Sequence, residues 1–312
     1  MWPLRRRKNT AETHLALQGA AEDWLRRPRN GNPDAIVLQA GQGRVEIADD
    51  TPYNGMKKVQ PSRAVPPLAG PKIELPGRLA PYLVTLLTPT AFETEPYRVL
   101  GHMVAQMHTD AGLRLLAIAS PSPGDGKTIT AINLAGVLAQ EPQARVLLVE
   151  ADLRRPSLLT YLGREKASMG GLVQAILDPM LSLESVVQQY PSFNFNVLPA
   201  GHSLAAPYDV LKLPRFGELL QETRQHYDYV VVDTPPLIPF ADCRLIEKCV
   251  DGFLVVVAAH KTSRKLLEEA LHVTDPGKLV GLVFNQDIYQ TLRYHRPYYR
   301  YYPQSRNGQQ KA

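Results

Sequence analysis

The sequence predicts an α/β protein in which a doubly wound, mostly parallel sheet carries helices on both faces. Three observations support this. From Arg114 onward, short apolar stretches alternate with segments of helical periodicity, as in strands buried on both faces by crossover helices. The stretch 114–119 runs into Ser120-Pro-Ser-Pro-Gly-Asp-Gly-Lys-Thr128 and then a helical pattern, the strand–loop–helix order of a phosphate cradle. Two further apolar stretches end in acids, Glu150 and Asp152 after 145–149 and Asp233 after 229–232.

In chain order, residues 1–80 show no sustained periodicity, and eleven of the 27 prolines fall within 1–90. We expect 1–80 to be a largely disordered, Pro-rich basic extension, with one amphipathic pattern over 12–27. Residues 81–286 are the expected folded domain and 287–312 a flexible tail. Glu95-Pro-Tyr-Arg98 opens a helical pattern through Val99, Met103, Val104 and Met107. Strands are then expected at 114–119, 145–149, 195–198, 229–232, 252–257 and 280–284. Helices are expected near 128–140, 168–177, 184–189, 214–226, 241–249 and 263–273. Ligands of such sheets bind beyond the carboxyl ends of the strands, where the phosphate loop sits.

Composition narrows the class. No apolar run approaches the roughly 18–20 residues that span a bilayer, and the basic start Met1–Lys8 has no apolar core behind it, so it does not read as a secretory signal. Two cysteines, Cys243 and Cys249, exclude a disulfide framework and read as reduced thiols of a cytoplasmic protein. The net charge of +5 is polarised: residues 1–29 carry 7 − 3 = +4 and 289–312 carry +5, which leaves −4 for the body. Basic ends on an acidic body suit contact with anionic lipid, nucleic acid or the acidic site of another copy.

The loop's chemistry follows from its residue types. Gly124 and Gly126 let the backbone turn with its N–H groups inward, Lys127 reaches β- and γ-phosphates, and the Thr128 hydroxyl suits Mg²⁺. Pro121 stands where the full motif has its first glycine. Asp233, at a strand's end, suits a metal-binding carboxylate. Glu150 and Asp152 are one residue apart and share a face, so both can project into the site, although either could instead pair with Arg154 or Arg155 across a turn.

The phosphate loop, the strand ending in acid-x-acid-x-Arg, and Asp233-Thr-Pro-Pro236 together resemble the bacterial tyrosine kinases of capsule and exopolysaccharide synthesis. These are P-loop NTPases with a MinD/ParA-like fold. The resemblance covers roughly 80–312 and includes Leu198-Pro-Ala-Gly201, Asp242 and Gly281-Leu-Val-Phe-Asn285. It extends to a tail cluster, in which five of the chain's fourteen tyrosines fall within 294–302. The MinD/ParA-type ATPases carry a signature lysine where this chain has Ser122, and they lack the tyrosine tail.

The resemblance implies an ATP- and Mg²⁺-dependent protein-tyrosine autokinase. Pro123, Gly124, Asp125, Gly126, Lys127, Thr128 and Ile129 would bind nucleotide phosphates, and Asn285 the base. Thr128, Asp152 and Asp233 would hold the metal, Lys127, Asp152 and Asp233 would act in catalysis, and Glu150 would be the base. The acceptors would be Tyr294, Tyr298, Tyr299, Tyr301 and Tyr302 of a neighbouring copy, brought together through an oligomerisation motif at Glu95 and Arg98. Two departures stand out: the first acid is Glu150 where the family usually has Asp, and Gly101 replaces the last arginine of that motif. The implied partners are a membrane-embedded polysaccharide co-polymerase as activator, further copies of the chain and a cognate tyrosine phosphatase, with no nucleic acid. The implied location is cytoplasmic, at the inner face of the membrane through that partner. Two alternatives remain open, an ATPase switch without tyrosine kinase activity and a catalytically weak nucleotide-binding scaffold of a polysaccharide assembly complex.

Overall fold

The computed structural model describes residues 66–74, 77–164, 170–202 and 206–286. The basic cluster Arg5–Lys8, the pattern over 12–27 and the tail tyrosines therefore lie outside the described residues. Seven strands form one sheet: β1 (Leu115–Ala119), β2 (Val146–Glu150), β3 (Gln188–Tyr190), β4 (Phe195–Leu198), β5 (Tyr229–Asp233), β6 (Gly252–Ala258) and β7 (Leu279–Asn285). Their order is β3-β4-β2-β5-β1-β6-β7. All neighbours run parallel except β3, which pairs antiparallel with β4.

Every residue of β1, β2, β5 and β6 is buried, as their unbroken apolar sequences require of strands covered on both sides. Successive side chains point to opposite faces and divide the interior in two. Leu115, Ala117, Val230, Val232 and Val255 pack with α5 (Leu172–Leu177), α6 (Leu183–Val186), α7 (Pro207–Leu211), α8 (Pro214–His226), α9 (Asp242–Glu247) and α10 (Arg264–Val273). Leu116, Ile118, Leu148, Val231 and Leu254 pack on the other face, against α2 (Glu95–Ala111), α3 (Lys127–Leu138) and α4 (Leu158–Tyr161). A short α1 (Val84–Leu87) leans on α3, where the Asn133 side-chain oxygen accepts from the Thr85 amide at 3.0 Å. Among the described residues no helix is long and apolar enough to cross a membrane.

Two expectations need correction. The segment 184–189 is not one helix. Ser182 caps α6, its side chain accepting from the Ser185 amide, and the chain then extends into β3. Asn194, at φ 55°, closes the turn between β3 and β4, because Asn tolerates the left-handed region and permits the reversal. The folded body also begins earlier than residue 81. Leu68 is part of the core, and the chain passes along β3, with the Ile73 amide donating to the Gln189 carbonyl at 2.8 Å and the Gln189 amide to the Pro71 carbonyl at 2.9 Å. A Cβ at Gly70 would sit 1.8 Å from the Val187 carbonyl oxygen, so the close passage there needs glycine.

Candidate active site

The site lies at the carboxyl ends of β1, β2 and β5, which the register holds side by side: Ile118 and Glu150 each lie opposite Asp233. Between β1 and α3 the loop 120–126 turns through Gly124 at φ 82° and Gly126 at φ 100°, conformations that only glycine adopts without strain. The loop is also braced from outside. The buried Asp125 carboxylate accepts from the Ser122 amide at 3.0 Å and from the Thr262 hydroxyl at 3.0 Å. Burial is the largest influence on it and raises its pKa against those contacts. Asp125 therefore shapes the loop from below. The Asn285 amide nitrogen donates to the Asp125 carbonyl at 3.0 Å and would lie 1.9 Å from a Cβ at Gly126. Pro123 is exposed at the loop's crest and Ile129 half-buried in the first turn of α3.

Lys127 reaches from α3 into the space between the two acidic strand ends. Its Nζ lies 2.8 Å from Asp152 Oδ2 and 3.7 Å from Asp233 Oδ1. Thr128 Oγ1 donates to Asp233 Oδ2 at 2.7 Å. Burial dominates the Asp233 carboxyl and pushes its pKa up to about 7, although Lys127 and Thr128 pull the other way. Its Oδ1 is buried and has no hydrogen-bond partner, with the Lys127 ammonium 3.7 Å away, so this oxygen has a place for a further cation or donor. A hard divalent cation bound by oxygen ligands, with the Thr128 hydroxyl beside it, suits that place. The residues present fit Mg²⁺.

Glu150 is placed otherwise than expected for a base. Its Oε1 accepts from the amides of Ser157 and Leu158, both at 2.6 Å, and its Oε2 from the Ala200 amide at 3.1 Å. The side chain is 2% exposed. Burial raises its pKa, and the three amides oppose that rise. The extra methylene relative to Asp carries the carboxylate past the site, onto the start of α4 and the loop after β4. There it ties two backbone segments together and has no face toward an incoming hydroxyl. Asp152, by contrast, presents Oδ2 to Lys127 and keeps Oδ1 on the Arg155 amide at 3.1 Å.

The expected oligomerisation residues pair within the chain. Arg98 Nη1 donates to Glu95 Oε1 at 2.8 Å and Nη2 to the Pro89 carbonyl at 2.6 Å, on a half-exposed surface of α2. Gly101 is buried where α2 crosses α3, and a Cβ there would lie 2.6 Å from Val137 Cγ1. The missing arginine is thus replaced by a close helix crossing.

Several site residues were not legible from motif spacing. Lys261 Nζ and Gln286 Nε2 both donate to the Gly124 carbonyl at 3.1 Å, and Thr262 braces Asp125. Only their position just beyond strand ends would have pointed to them. Arg154 turns away from Glu150 and Asp152 and makes a two-point contact with Asp242, at 2.6 and 2.9 Å.

A glycine-turned phosphate loop opening a helix, with carboxylates on the two neighbouring strand ends, defines a P-loop nucleotide-binding protein. A family profile described as an AAA domain matches residues 113–275. Tyrosine-protein kinase YwqD of Bacillus subtilis (strain 168) is 31% identical over 211 residues, which is 67% of this chain and 87% of that protein. Succinoglycan biosynthesis transport protein ExoP of Rhizobium meliloti (strain 1021) is 31% identical over 204 residues, 64% of this chain and 25% of that protein. The chain thus spans most of the first relative and about a quarter of the second. Among solved structures, the BceF tyrosine kinase domain superposes with a TM-score of 0.58 at 26% identity, covering 65% of this chain and 81% of that one. The chain belongs to the bacterial tyrosine kinase family of P-loop proteins.

Proposed function

We propose that the chain is an ATP-dependent protein-tyrosine kinase that phosphorylates the tyrosine cluster of its own tail and thereby regulates synthesis or export of a polysaccharide. The observation that carries this reading is the Lys127 ammonium set between Asp152 and Asp233, with Thr128 bonded to Asp233. Kinship to a protein named as a tyrosine kinase supports the chemistry, and kinship to one named for succinoglycan biosynthesis supports the pathway class.

Phosphoryl transfer asks mainly for positioning and charge neutralisation. The loop's inward N–H groups and the α3 N-terminus would hold the β- and γ-phosphates of ATP, while Lys127 leaves Asp152 to bind them. Asn285, bonded to the Asp125 carbonyl of the loop at 3.0 Å, would contact the base. Thr128 and Asp233 would hold Mg²⁺, with Asp152 completing its surroundings; the ion supplies charge neutralisation at the transferred phosphoryl group. Asp152 Oδ2, released by Lys127, is the carboxylate oxygen that accepts the proton of the tyrosine hydroxyl as its oxygen bonds to the γ-phosphorus and ADP leaves. Glu150 takes no proton in this scheme.

The acceptors are Tyr294, Tyr298, Tyr299, Tyr301 and Tyr302, delivered by a neighbouring copy. Glu95 and Arg98 pair internally and Gly101 carries no guanidinium, so a ring built on their motif would lack one arginine contact. A membrane-embedded co-polymerase would act as activator and a tyrosine phosphatase would reset the tail. Incubating the purified chain with Mg-ATP and measuring intact mass tests the reading. Increments of about 80 Da per phosphoryl group on the tail support it, and ATP turnover with no added mass points instead to an ATPase switch.

A further inference from the structure

Asp152 lies two residues beyond the end of β2, just past the last backbone bond to β5, which the Ala151 amide makes to the Asp233 carbonyl at 2.8 Å. Its carboxylate has to stay in register with Asp233, which the sheet fixes. One contact spans the two loops on their outer side. The guanidinium of Arg154 lies against the Asp242 carboxylate, Nε to Oδ2 at 2.6 Å and Nη2 to Oδ1 at 2.9 Å, and sits 4.2 Å from the ring centroid of Phe240. Asp242 is 1% exposed and opens α9, immediately after the loop that leaves Asp233, while the Arg154 side chain keeps 29% of its surface. The flat guanidinium fits this place for two reasons. Its fork matches the carboxylate at two points, and its face can lie on an aromatic ring. A buried carboxylate with one bidentate cation partner has a single low-energy arrangement, so the contact fixes geometry as well as charge.

We propose that Arg154, Asp242 and Phe240 form a latch that positions Asp152 opposite Asp233, and so sets how tightly the site holds Mg²⁺ with nucleotide. None of the three touches the reacting atoms; they are positioning residues. The inference rests on Asp152 and Asp233 forming the metal side of the proposed kinase site.

The test uses the full chain and a fluorescent non-hydrolysable ATP analogue, and reads binding across a Mg²⁺ titration and again in excess chelator. Outer-sphere supports of a metal site are worth about 10–100-fold in metal affinity. Arg154→Lys keeps the charge but loses the fork and the flat face, and is expected to raise the half-saturating Mg²⁺ concentration at least about tenfold. Its analogue affinity in chelator should stay within about twofold of wild type. Asp242→Asn, nearly isosteric, should do the same and serves if Arg154→Lys melts early. An unchanged Mg²⁺ dependence in either folded variant overturns the latch, and so does an equal loss of binding with and without the ion. No arm reads phosphotyrosine, so failure of the kinase reading would leave these outcomes distinct.

Discussion

Replacing Glu150 separates a structural tie from a catalytic base, because the two roles predict opposite outcomes. In Glu150→Ala the amides of Ser157, Leu158 and Ala200 lose their acceptor. Leu158 and Ala200 are buried at 0% and 3% exposure, so their N–H groups cannot turn to bulk water. At about 1–3 kcal/mol for each buried donor left unpaired, the loss is roughly 2–6 kcal/mol. Relief from burying a carboxylate draws it toward the lower end. Even that is a large part of the roughly 5–15 kcal/mol that holds a domain folded. Glu150→Gln keeps one oxygen for Ser157 and Leu158, sets an amide nitrogen against the Ala200 N–H, and should cost only about 1–2 kcal/mol. Urea unfolding gives the stabilities, and intact-mass labelling under Mg-ATP gives the activity. We expect Glu150→Ala to be strongly destabilised and Glu150→Gln to label its tail within a few-fold of wild type. If Glu150→Gln kept wild-type stability but lost all labelling, the carboxylate would be the base and the reasoning would fail.

Other substitutions probe the remaining parts. Lys127→Met removes the ammonium between Asp152 and Asp233 and should abolish both analogue binding and tail labelling, read by fluorescence and mass. The Asp233 pKa, raised from 3.8 to about 7, makes the nucleotide-free native state bind a proton that the unfolded chain lacks between those values. Stability should therefore fall as pH rises through that window, by at most about 1.4 kcal/mol per pH unit. Asp233→Asn should flatten that slope in urea midpoints taken from pH 5 to 7.5. Conversely, Mg²⁺ must displace that proton, so metal-dependent analogue binding should tighten as pH rises toward about 7. Gly101→Arg, which restores the family's residue, should destabilise by about 1–3 kcal/mol through overpacking against Val137. Adding Val137→Ala should recover part of that loss in the same unfolding assay.

Much of this molecule was legible from its residues, and the parts that were not share a physical cause. The strands Leu115–Ala119 and Tyr229–Asp233 announce themselves because burial on both faces demands apolar residues up to the carboxyl end, where Asp233 marks the site. The phosphate loop shows through its glycines, and α8 through its period. Glu150 misled because spacing places a carboxylate on a face but says nothing of its reach: one methylene carries it onto backbone amides that lie 7, 8 and 50 residues away. β3 hid because Gln188–Tyr190 is a short edge strand without alternation, defined by its antiparallel partner. Lys261, Gln286 and Arg154 meet their partners only after the loops at several strand ends converge. The part of the fold that precedes residue 81 was hidden by its prolines, which read as disorder until Leu68 is seen in the core.

The passage of residues 66–74 along β3 has a consequence for handling and for the cell. An outermost strand whose backbone groups are unshielded is a template on which another copy can grow. Here the chain lays its own backbone there, with the Pro71 carbonyl and Ile73 amide taking up Gln189 while Leu68 plugs the interior. A protein trimmed to begin at residue 81 would keep every catalytic side chain described above. It would nevertheless expose the Gln189 amide and carbonyl and an apolar socket side by side. Such a fragment should bind nucleotide yet self-associate as its concentration rises, whereas one beginning at residue 60 should stay dispersed.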